Sequence, residues 1–97
     1  MSNTVLHKHG IVEAFNVSPH GAYESLLLTT KYEIAQLNFP QEFGATIAGL
    51  AREGEELDAE VLSEKVKGSP SHHVYRLVSF TCGKERKTFS LADSDGQ

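Results

Sequence analysis

The 97-residue chain has one cysteine, Cys82, three prolines and no long apolar run. A single thiol excludes an internal disulfide framework and a multi-thiolate metal site, so an apolar core alone must hold the fold. Residues 1–10 carry polar residues and two histidines, His7 and His9, where a secretory leader needs an apolar run of about seven residues. No stretch is long enough to span a bilayer as a helix. The expectation is a cytoplasmic protein without a membrane partner.

Basic charge is also in short supply. Nine lysines and arginines against thirteen acids leave a net charge of -4. That balance argues against a protein whose main task is to neutralise phosphates, since non-specific nucleic-acid affinity comes largely from basic side chains displacing counterions. The average hides a segregation. Residues 53–64 hold six acids and no base, whereas residues 65–87 hold Lys65, Lys67, Arg76, Lys84, Arg86 and Lys87 against Glu85 alone. The last third is locally basic, which is either a binding feature or a chance clustering of solvated strand faces.

Reaction signatures are missing too. There is no nucleophile-elbow glycine pattern and no Cys-His pair in a recognisable context. Gly83-Lys84 lacks the upstream glycine of a phosphate-binding loop and opens no helix. The acids Glu53, Glu55, Glu56, Asp58 and Glu60 read as a solvated run rather than a buried pair with shifted pKa values. Cys82 closes an apolar strand and reads as packing. The chain is therefore expected to be no enzyme and to need no cofactor.

What is present is an ordinary globular composition, 39% hydrophobic and 23% charged, in a length that suits one domain over residues 1–97. Its ordered core should run over about residues 5–91, with frayed termini. Residues 6–17 mix β-branched, aromatic and polar side chains and close on Ser18-Pro19-His20-Gly21, giving a first strand and a turn. Residues 23–29 and 32–39 are two further β-rich runs, joined by Thr30-Lys31 as an antiparallel hairpin. From Pro40 the period changes. Phe43, Ile47, Leu50 and Ala51 form one helical stripe, which Pro40 opens and Gly54 closes. Gly44 and Gly49 weaken this helix by about 1 kcal/mol each relative to alanine, so it depends on docking against a sheet. Leu57, Ala59 and Val61 then alternate with polar neighbours as a fourth strand. Residues 67–71 form a loop, residues 73–81 a fifth strand, and residues 88–91 a short final extended piece.

The order strand, strand, strand, helix, strand, strand resembles the OB-fold, a five-stranded Greek-key barrel. The resemblance covers residues 6–81, and the passage Phe39-Pro40 through Leu50 and Gly54 into a strand at Glu56 looks like the helix connection of small bacterial OB-like proteins. An SH3-like barrel or a small α+β sheet has the same element string. The expected class is thus mainly β, a five-stranded OB-like Greek-key barrel with one helix between strands 3 and 4.

The resemblance also implies a binding face, across strands 2 and 3 and between the loops joining strands 1 to 2 and 4 to 5. With Leu26, Leu28, Leu37 and Phe39 inward, the period of two sets Tyr23, Ser25, Leu27 and Thr29 outward, beside Tyr32, Ile34, Gln36 and Asn38. Tyr23 and Tyr32 would offer stacking surfaces for bases, although tyrosine is also simply a good strand former. Lys31, Lys65, Lys67, His72 and Arg76 would form a weakly cationic rim. His20, His72 and His73 are weak metal candidates, because adjacent strand histidines point to opposite faces and no acidic or thiolate companion accompanies them. His7 and His9 share a face but have no carboxylate nearby in sequence, and read as an exposed strand start.

Two functions of different class follow as expectations: a module binding single-stranded nucleic acid weakly, or a protein-interaction or homo-oligomerisation module using Leu27 and Ile34.

Overall fold

The computed structural model describes residues 5–63 and 73–91. In chain order the elements are β1 (Val5–Val17), β2 (Tyr23–Thr30), β3 (Ile34–Asn38), α1 (Gly44–Leu50), β4 (Glu56–Ser63), β5 (His73–Cys82) and β6 (Lys87–Ser90).

The long first strand is shared between two neighbours. Residues 5–11 of β1 pair antiparallel with β4, and residues 10–17 pair antiparallel with β2. Gly10 stands where the two ladders overlap, opposite both Thr30 and Leu57. A Cβ there would lie 2.2 Å from the carbonyl oxygen of Thr29, so only glycine permits this approach. β2 continues antiparallel into β3, β4 into β5, and β3 meets β5 in parallel, which closes the circuit β1-β2-β3-β5-β4. The result is the expected mainly β architecture, a closed five-stranded barrel with a single short helix between β3 and β4. The final extended piece is a sixth strand, β6, paired with the second half of β5 outside the barrel.

The core follows from period two. Leu26, Leu28, Ala35, Leu37, Leu57, Ala59 and Val61 all point inward and are buried. On β5 the inward phase passes from Tyr75 and Leu77 to Phe80 and Cys82. The ladder with β4 is irregular there, between Glu60 and Val61, and this admits one extra residue. Burying each large aliphatic side chain contributes about 1.5–3 kcal/mol.

The helix is shorter than its apolar stripe. A 3-10 turn at Gln41–Phe43 precedes only seven α-helical residues. The cause lies after it: Gly54, at φ +90°, donates its N–H to the Val12 carbonyl, and Val12 donates back to the Glu55 carbonyl. The backbone returns to β1 before the helix can run on to Gly54. Gly44 is not merely a weak point, since its backbone docks on β2 where a Cβ would come within 2.9 Å of the Tyr23 carbonyl oxygen. Ile47 and Ala51 are buried, and Phe43 meets Phe89 edge-on at 5.9 Å, so α1 and β6 together cover one end of the barrel. No helix among the described residues is long and apolar enough to cross a membrane.

Candidate functional site

At the opposite end β1 parts from β2. β2 ends its pairing at Gly10, so the hairpin residues 30–33 stand beside the unshared first half of β1. Between them lies a groove of about 700 Å³, walled by His7 and His9 on one side and Lys31 and Tyr32 on the other, with Ile11 and Thr29 at its base.

Thr30 builds the hairpin. Its Oγ1 accepts the N–H groups of Tyr32 and Glu33, at 3.2 and 3.0 Å, and donates to the Glu33 carbonyl at 2.8 Å. A side-chain turn thereby replaces the missing Asn-Gly. The turn's central residues are Lys31 and Tyr32 rather than Thr30 and Lys31, so β3 begins at Ile34 and not at Tyr32. That shift moves Tyr32 from a strand face to a turn tip, where it is 91% exposed.

The groove's two walls are tied together from inside the barrel. Lys8 follows the inward phase of Leu6, Gly10 and Val12, and its Nζ lies 2.8 Å from Glu33 Oε2. The Tyr75 hydroxyl donates to the same carboxylate, His73 Nδ1 approaches it at 2.7 Å, and the Lys8 ammonium lies 4.8 Å from the Tyr75 ring centre. Burial pushes the Glu33 pKa upward. Hydrogen bonds from Lys8 and Tyr75 and the nearby charges of Lys8 and His73 outweigh it, and the carboxyl ends below its ordinary range. The hydrogen bond to Glu33 in turn raises Lys8 above the ordinary lysine value.

The expected binding face is only partly assembled. Lys31 and Tyr32 share the groove. Tyr23 lies at the other end of β2, about 20 Å away at the strand rise per residue. It is half-buried, with its ring edge-on to Phe15 at 5.4 Å. The two tyrosines do not form one stacking surface. Ser25 is buried rather than outward-facing: the Asn16 amide donates to its Oγ at 2.7 Å, and the β1–β2 ladder is irregular beside that pair. Gln36 is half-buried and donates to Asn38 Oδ1 at 2.9 Å, while Arg76 is exposed on β5 opposite Asn38. Lys65, Lys67 and His72 lie outside the described residues.

His20 sits in the turn beyond β1, at the end away from His73, so those two metal candidates are not brought together. Among the described residues the bases of the last third do not make one basic face either. Lys84 and Lys87 line a separate groove with Arg52, Glu55, Glu56 and Glu85, at the far end of β5 from His73. Cys82 is buried, burial raises its pKa, and its thiol donates to the Leu50 carbonyl at 2.9 Å.

Sequence reasoning missed the groove's β1 wall. His9 Nδ1 hydrogen-bonds Asp58 Oδ1, and His7 Nε2 lies 3.9 Å from the same oxygen. It also missed the alignment of Ile11, Thr29 and Ile34 in adjacent registers across β1, β2 and β3, with Ile11 40% and Ile34 55% exposed. The inward phase of Lys8 was readable from Leu6 and Val12, since the three positions share one face.

The fold and the groove define a small closed barrel with an open cleft at one end. Set beside family models, curated proteins and solved structures, the chain matches none.

Proposed function

We propose that this chain is a non-enzymatic binding module of the OB-fold type, and that its groove takes single-stranded nucleic acid. The observation that carries the reading is Tyr32, 91% exposed beside Lys31 at the groove wall. An aromatic ring with both faces open stacks on any base, contributing about 1–3 kcal/mol per base, and a neighbouring ammonium follows the phosphate chain. His7 and His9 supply further nitrogen donors or acceptors opposite. The Glu33 carboxylate, the acid within the hairpin, already accepts bonds from Lys8, Tyr75 and His73. With a net charge of -4 the binding is weak and salt-sensitive.

Fluorescence anisotropy of labelled DNA and RNA oligomers, titrated at low and moderate salt, tests it. Saturable binding that weakens steeply with salt supports the reading; flat curves at low salt refute it.

A second reading rests on Ile11 and Ile34, two exposed isoleucines in register on either side of Thr29 across three strands. The occupant would be a second copy of this chain. Light scattering at high protein concentration then shows a dimer that the double variant I11S/I34S abolishes; a strict monomer removes this alternative.

A further inference from the structure

His7 and His9 failed as a metal site in sequence terms for want of a carboxylate, and the sheet supplies one. The two histidines lie on the same outward face of β1, two residues apart. On β4, Asp58 stands directly opposite His9, and Glu60 directly opposite His7. Both imidazoles approach one atom, Asp58 Oδ1: His9 hydrogen-bonds it through Nδ1, and His7 Nε2 lies 3.9 Å away. Glu60 is engaged elsewhere, accepting from the Ser79 hydroxyl at 3.0 Å.

We propose that His7, His9 and Asp58 bind one divalent transition-metal ion of the zinc type on the outer face of the barrel. Among the described residues no three ligating side chains are already spaced around such an ion: His9 is hydrogen-bonded to Asp58, and His7 stands 3.9 Å from the same oxygen. Conversion needs only side-chain rotation. The three side chains are 66%, 58% and 40% exposed, so no packing opposes it. Cross-strand and i, i+2 neighbours start within about 5–8 Å at Cβ, within reach of ligand bonds of about 2.0–2.2 Å. Two neutral imidazoles and a carboxylate form a three-ligand set that suits zinc or cobalt and leaves one position for water. The ion would replace the His9–Asp58 hydrogen bond and join β1 to β4. The ion site shares His7 and His9 with the groove wall, but its ligand set does not depend on the nucleic-acid reading, which rests on Tyr32.

The test is calorimetric titration of the full chain, expressed without a histidine tag, with zinc chloride near neutral pH, together with NMR of the imidazoles. One ion per chain is expected, with shifts in His7 and His9. The variants H9A and D58N should each weaken binding by more than about tenfold. H20A should bind as the parent does. Zinc should also raise the melting temperature of the parent and not of the double variant H7A/H9A, all of whose changes are on the surface. Absence of binding by the parent, or equal affinity in H7A/H9A, would overturn the proposal.

Discussion

The Nζ of Lys8 lies 2.8 Å from Oε2 of Glu33, tying β1 to the β2–β3 hairpin beneath the groove. A charged side chain in the inward phase of a barrel strand is stable only because it finds this carboxylate, and Tyr75 and His73 complete the carboxylate's bonding. Breaking one partner leaves the other poorly compensated. K8M should cost about 2 kcal/mol in urea denaturation, below the range for fully buried pairs because Lys8 is partly exposed. The double variant K8M/E33M should lose less than the sum of the single changes.

Two pH limbs follow from the same pair. The Glu33 carboxyl is held low, so its contribution is complete above its unfolded value of about 4.3 and is lost as pH falls through the folded value. Lys8 is held high, so its contribution is complete below its unfolded value of about 10.4 and is lost as pH rises through the folded value. Denaturation midpoints measured from neutral pH downward should therefore fall more steeply for the parent than for E33Q.

The glycines separate by environment. G10A forces a Cβ to 2.2 Å from the Thr29 carbonyl oxygen and should destabilise by more than about 3 kcal/mol, or prevent folding. G49A meets nothing within 4 Å on an exposed helical position and should stabilise by about 0.5–1 kcal/mol. Thermal melts of the two variants check the contrast.

Asn16 and Ser25 provide a further test. N16A removes the donor to the buried Ser25 hydroxyl and should cost about 1–2 kcal/mol, whereas N16A/S25A should recover part of that loss.

The barrel was legible because its signals are local. Alternation in Leu57, Ala59 and Val61 and in Leu26 and Leu28 sets strand faces, and Pro40 with Phe43, Ile47 and Leu50 marks a change of period. Most of what escaped depends on distant partners. The helix stops early because Gly54 and Glu55 bond to Val12, and Ser25 is covered because Asn16 lies across the ladder. The Tyr32 turn rests on the Thr30 hydroxyl, which competes with a one-residue alternative that looks equally good in sequence. The His9–Asp58 pair exists only through the β1–β4 register, which joins the chain's beginning to its middle.

Tyr32 at the groove and Tyr23 at the far end of β2 are two rings on which a base could stack. Anisotropy of a labelled single-stranded oligomer at low salt should show binding by the parent and by Y23F, and loss of most of it in Y32A with unchanged stability. Binding that survives Y32A undiminished would refute recognition through Tyr32 and place the interface away from the hairpin end of the barrel.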